Sequence, residues 1–208
     1  MIAFDRKAFF DAVRPLFGGR LTQAQVDSLS IAIDAGLGVI HQTGPVISEP
    51  PWVTIARRDI GLQEIPGKQH ASRIIQMLKL LKYSISDDET PWCATAMAAW
   101  MTEAGLTPPP YGYRAKSWAD WGVECRPQVG AIGVKSRVGG GHVFLIVGET
   151  PDKRCFKALG ANQRNAVNIM DVLKSDVSAG DIRWPPGVPL LNLPLPVMST
   201  GTLSKDEA

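Results

Sequence analysis

The chain has 208 residues and a mass of 22.5 kDa, enough to bury a real core, which excludes a peptide or a disulfide miniprotein. Hydrophobic residues make up 45% and charged residues 20%, the balance of a folded globular protein and not of a disordered one. With 22 Lys and Arg against 20 Asp and Glu, the net charge of +2 argues against a nucleic-acid partner, because phosphate backbones demand a far stronger basic field.

Apolar runs such as 143–147 fall far short of the roughly 18 to 20 residues that span a bilayer, so no stable membrane insertion is expected. The stretch from Met1 to Asp11 mixes charge with Phe and has no apolar signal core, which predicts synthesis in a cytoplasm. Three cysteines, Cys93, Cys125 and Cys155, are an odd number without CxxC spacing, so neither a disulfide framework nor a metal site is expected.

Residues 1–36 read as a helical hairpin. Phe9, Ala12, Val13, Leu16 and Phe17 share one helical face, and Pro15 ends or bends that helix near Arg14. Thr22 with Gln25 forms a capping-box pattern, Leu21 and Val26 a hydrophobic staple, and Val26, Leu29 and Ile33 continue the stripe to Gly36. Two short helices cannot stand alone, so the hairpin is expected to pack on the main domain, on another copy of itself or on a ligand. A DNA-reading helix-turn-helix is set aside because its charges roughly cancel.

Residues 37–51, rich in Gly and Pro, predict a linker, and residues 52–186 a second domain. Helices are expected over 53–60 and 71–81. A further one opens at Cys93 and ends near Gly105; being apolar nearly all round, it predicts a buried central helix. From 131 onward the pattern turns to short Val, Ile and Phe-rich strands at 131–134, 142–147, 155–159 and 167–170. Helices followed by a meandering sheet predict an α+β domain, and the Pro-rich tail 187–208 is expected to be loosely held.

The chemistry centres on Cys93 and His142. Cys93 opens the central helix, where unpaired N–H groups and the positive end of the helix dipole favour thiolate. His142 follows Gly139, Gly140 and Gly141 and opens a strand, so helix start and strand start meet, and an imidazole can activate the thiol. Asn162, at the end of the next strand, is the expected orienting group for the ring, with Gln163 turned away by strand alternation or beginning the turn. His41 and His70 are assigned solvated or structural roles.

Pro91-Trp92-Cys93-Ala94, Gly140-Gly141-His142-Val143 and Leu159-Gly160-Ala161-Asn162-Gln163 carry a family resemblance, joined by Glu64-Ile65-Pro66-Gly67 upstream and Ile182-Arg183-Trp184-Pro185 downstream. In that order they resemble the phage and bacterial cell-wall hydrolases related to NlpC and CHAP domains. Two positions depart from the group's pattern: Ala161 stands where a second glycine is usual, and Ala131 where Asp is more frequent.

The resemblance implies a reduced papain-like fold, with Cys93 as nucleophile, His142 as base and Asn162 as orienting residue. It also implies bacterial peptidoglycan as partner, cleaved at an amide bond of the stem peptide by an endopeptidase or N-acetylmuramoyl-L-alanine amidase. Trp92, Gln163, Glu64 and Tyr83 are candidates for binding substrate, and no cofactor or metal is called for. The N-terminal hairpin resembles segments preceding lytic domains of phage enzymes, so a phage or prophage endolysin is expected. It would be made in the host cytoplasm and act in the periplasm or wall after release, as a monomer. The alternatives are a secreted antibacterial effector amidase and a wall-binding or virion protein without catalysis.

Overall fold

A computed structural model describes residues 6–17, 29, 49–137, 140–192, 194–199, 202 and 203. The chain divides into two compact units, Met1–Ile47 and Ser48–Ala208, and the break falls inside the expected linker. In the first unit, helix α1 (Arg6–Val13) gives way to a 3-10 turn, Arg14–Phe17. That is where Pro15, lacking an N–H, interrupts the α-helical ladder. The second helix of the expected hairpin lies outside the described residues except for Leu29, which is helical. His41 also lies outside them.

The second unit is α+β. Helix α2 (Pro51–Arg58) starts with proline in its first turn, where the missing N–H costs nothing, and buries Trp52, Val53 and Ala56. Helix α3 (Ser72–Leu81) buries Ile74, Met77 and Leu78 and stops at Lys82, which adopts a left-handed conformation. Helix α4 (Cys93–Glu103) is buried continuously from Cys93 to Met101, as its all-round apolar sequence predicts. Small side chains at Ala94, Ala96, Ala98 and Ala99 let α2, α3 and the sheet close on it from several sides.

Among the described residues, seven strands form one sheet: β1 (Val123–Glu124), β2 (Ile132–Arg137), β3 (Gly140–Glu149), β4 (Cys155–Gly160), β5 (Asn168–Leu173), β6 (Ile182–Trp184) and β7 (Thr202–Leu203). Their order is β1-β6-β2-β3-β4-β5-β7, antiparallel except where β7 runs parallel to β5. The long central β3 is buried from His142 to Gly148 and packs against α4. The Cys93 helix therefore lies on the strand that His142 opens.

The chain after Trp184 corrects one expectation. Described residues of the tail are tied to the sheet domain: the N–H groups of Leu191 and Asn192 donate to Gln128 Oε1 at 2.9 and 2.8 Å. Glu149 exchanges backbone hydrogen bonds with Pro196 and Met198, both at 2.9 Å. Proline supplies no N–H, but its carbonyl and its neighbours' amides still satisfy an edge, so a Pro-rich composition did not mean a detached segment here.

Candidate active site

Cys93 occupies the first position of α4, with Trp92 at the N-cap and no side chain capping the helix. Its first-turn N–H groups are thus left to the sulfur and to a ligand. The thiol is 7% exposed. Burial pushes its pKa up, but a hydrogen bond to His142, the charge of that ring and the N–H groups of Val143 and Ala94 outweigh burial and hold it below the ordinary thiol range. By contrast, burial pushes the Cys125 and Cys155 thiols up, and Asp171 and Asp152 add to the effect at Cys155. All three cysteines are free.

His142 is 2% exposed and stacks on Phe144 at a centroid distance of 5.8 Å. Its Nε2 lies 3.1 Å from Gln163 Oε1. The Gln163 amide cannot be reversed without loss, because its Nε2 donates to the carbonyl of Asn168 at 2.8 Å and to Asn168 Oδ1 at 2.9 Å. Asn168 Nδ2 in turn donates to the Gln163 carbonyl at 2.8 Å, which orients the second amide. With Oε1 fixed toward the ring, His142 Nε2 must carry the proton, leaving Nδ1 as the basic nitrogen for the thiol.

Gly160 makes this pair possible. A Cβ there would lie 2.8 Å from Gln163 Oε1 and 3.0 Å from His142 Nε2, closer than carbon can sit.

The amide hydrogen-bonded to the ring is therefore that of Gln163, where the sequence reading expected Asn162. Asn162 is buried in the turn after β4 with φ of +57°, and its Oδ1 has no partner among the described residues. Extending the Leu145–Leu159 register would set position 162 opposite His142, but β4 ends at Gly160. Beyond that point strand alternation no longer decides where side chains point. The longer Gln163 side chain folds back beneath the strand end to reach the ring.

Trp92 is 1% exposed and donates its indole N–H to Glu64 Oε2 at 3.1 Å. It is an anchor for the loop before Cys93 and not an open wall of the cleft, and Glu64 is its acceptor. Tyr83 is half-buried and meets Tyr113 edge-on at 5.2 Å, one ring behind the cleft. The cleft beside Cys93 has a volume of about 390 Å³ and is walled by Pro91, Tyr113, Arg114, Ala115, Lys116 and the Gly140–Gly141 backbone. A larger cavity of about 550 Å³ is lined by Cys125, whose thiol burial pushes up, so chemistry and not volume selects the cleft beside Cys93.

Sequence reasoning missed Tyr113, Arg114 and Lys116, whose segment has no strand or helix period, although Tyr111-Gly112-Tyr113-Arg114 is a dense aromatic and basic cluster. It also missed Asp88, fully buried, which accepts from the N–H groups of Ile65 at 3.0 Å and Ala71 at 2.7 Å and pairs with His70 Nδ1 at 2.9 Å. His70 is structural as expected, but through this carboxylate. Asp88 ties the 65–71 loop to the segment leading into Cys93. Among the described residues no helix is long and apolar enough to cross a membrane. No family model matches this chain, and no curated protein or solved structure matches it.

Proposed function

We propose that this chain is a cysteine-dependent peptidoglycan hydrolase that cuts an amide bond of the stem peptide, acting as a phage or prophage endolysin. The observation that carries the chemistry is that the His142 ring, whose Nε2 lies 3.1 Å from Gln163 Oε1, neighbours the Cys93 thiol and helps to hold its pKa below the ordinary range. A nucleophile helix laid on an antiparallel strand bearing the base is also the arrangement of a reduced papain-like fold, which supports that assignment. The choice of peptidoglycan rests on the motif resemblance around these residues.

In this reading His142 Nδ1 takes the Cys93 proton, and the thiolate attacks the carbonyl carbon of the scissile amide. Charge collects on the carbonyl oxygen, to which the Cys93 N–H at the start of α4 would donate. The imidazolium then gives its proton to the departing amine, and the C–N bond breaks to leave a thioester. Water, deprotonated by His142, attacks the thioester and releases a carboxylate and the free thiol. Gln163 holds the ring in one tautomer throughout, and burial of the pair keeps its hydrogen bonds from being traded for water.

The test compares wild type with Cys93→Ala on purified sacculi, following turbidity and pelleting together. A hydrolase clears the suspension only with the thiol present, while both proteins pellet with intact wall. Clearing that survives in Cys93→Ala overturns the catalytic assignment. Pelleting without clearing in wild type points to a wall-binding protein.

A further inference from the structure

The cleft beside Cys93 has a one-sided charge that the hydrolytic scheme does not use. Of the side chains that wall it, only Arg114 and Lys116 are charged, and both are cationic and exposed. Neither makes an ion pair among the described residues, although the chain as a whole is nearly neutral. The acids that precede Pro91 in the chain are already engaged elsewhere: Asp87 accepts from the Thr90 N–H at 2.7 Å and Glu89 from the Gly67 N–H at 3.0 Å.

Arg114 is also partly pre-positioned. Its guanidinium carbon sits 5.5 Å from the ring centroids of both Tyr111 and Tyr113, which meet edge-on, with Tyr83 behind Tyr113. Stacking on aromatic faces limits where the planar cation can go while leaving its N–H edge free to donate. Gly140 and Gly141 also wall the cleft and bring no side chains to compete for the space.

We infer that Arg114 and Lys116 form a carboxylate-binding subsite, so that the preferred substrate is an acidic peptide carrying a free carboxylate close to the scissile amide. Two cations with no protein carboxylate to satisfy them favour an anionic ligand, and a guanidinium fork matches a carboxylate in geometry. A carboxamide in the same place keeps the shape but loses the charge-assisted bonds. The inference names the substrate class of the proposed hydrolase and rests on that reading only for the cutting step.

Binding is measured by calorimetry on full-length Cys93→Ala with a stem tetrapeptide in two forms, one with free carboxylates and one with every carboxylate converted to carboxamide. The expected result is roughly tenfold tighter binding of the carboxylate form, shrinking as salt rises. Adding Arg114→Gln and Lys116→Gln, both exposed and checked for unchanged melting temperature, is expected to erase the preference. Equal affinities, absence of binding by the carboxylate form, or a preference that survives the double change each overturn the subsite. Wild type that binds the peptide with this preference but leaves it and sacculi uncut would instead overturn the hydrolase reading and leave the subsite standing.

Discussion

Gln163 Oε1 faces His142 Nε2 at 3.1 Å, and the amide that bears it is held from behind by Asn168. One hydrogen-bond direction, from ring to amide, thus decides which nitrogen is left to face the thiol. Replacing Gln163 with Ala frees the ring and is expected to lower kcat by roughly 10- to 100-fold, the scale of losing sub-ångström positioning. Asn162→Ala is expected to leave kcat within a few-fold and to cost about 1 kcal/mol of stability, since Ala tolerates φ of +57° poorly. Steady-state rates and denaturant midpoints for the two variants check this, and the reverse ranking contradicts the assignment.

Asn168→Ala removes the Oδ1 that accepts from the Gln163 side chain and the Nδ2 that donates to the Gln163 backbone carbonyl, leaving the backbone carbonyl of residue 168 as an acceptor. Nitrogen NMR of His142 is expected to show a protonated Nε2 in the wild-type resting enzyme and a mixture of tautomers in the variant. The pH-rate profile should broaden with it. An unchanged tautomer would mean that Gln163 is fixed by its bonds to backbone carbonyls alone, at 2.8 Å to residue 168 and 3.4 Å to Ala158 and Gly160.

Gly160→Ala tests the packing beneath the pair. The added methyl would sit 2.9 Å from Gln163 Cδ and 3.0 Å from His142 Nε2, so the two must separate. Loss of at least tenfold in kcat/KM with circular dichroism preserved is expected. Retention of full activity would show that the backbone shifts freely there.

The thiol pKa directions give an order of reactivity. Because its pKa is lowered, Cys93 keeps thiolate below the ordinary thiol range and loses it only as pH falls through the lowered value; Cys125 and Cys155, both raised, are protonated at neutral pH. Iodoacetamide at pH 6 to 7 is therefore expected to label Cys93 first, even though the half-buried Cys125 is the more accessible. His142→Ala should abolish that preference. Peptide mapping by mass spectrometry reads both outcomes, and faster labelling of Cys125 in wild type contradicts the lowered pKa of Cys93.

Asp88 carries a stability prediction. Burial pushes its carboxyl up, but the N–H groups of Ala71 and Ile65 and the His70 ring together hold it below the usual carboxylate range. A lowered native pKa contributes stability that is present above the ordinary carboxyl range and lost as pH falls through the lowered value. Asp88→Ala leaves two backbone donors without their acceptor at an estimated cost of about 3 kcal/mol, a fall in Tm on the order of 10 °C at neutral pH. The gap between variant and wild type should close in acid, which thermal melts at a series of pH values would show.

The helices and the central strands were legible because their apolar spacing is strong and their ends are punctuated, as at Pro51 and Cys93. The junction of Cys93 with His142 followed from placing one at a helix start and the other at a strand start. What failed was any step that carried a regular period past the end of its element. Gln163 lies beyond Gly160, in a turn where Asn162, Arg164 and Asn165 all have positive φ, so alternation gave the wrong amide. The short strand Ile182–Trp184 was visible only as a motif, because three residues carry too little period to read. Trp92 stands next to the nucleophile in sequence but faces inward, and the cleft wall comes from a loop far along the chain.

The most direct test of the central claim is mass spectrometry of muropeptides released from purified sacculi in water enriched in heavy oxygen. Wild type is predicted to produce new carboxyl termini carrying one heavy oxygen, at a single type of stem-peptide amide, and Cys93→Ala none. Unchanged muropeptides with active wild-type protein, or labelled termini that persist in Cys93→Ala, would contradict it.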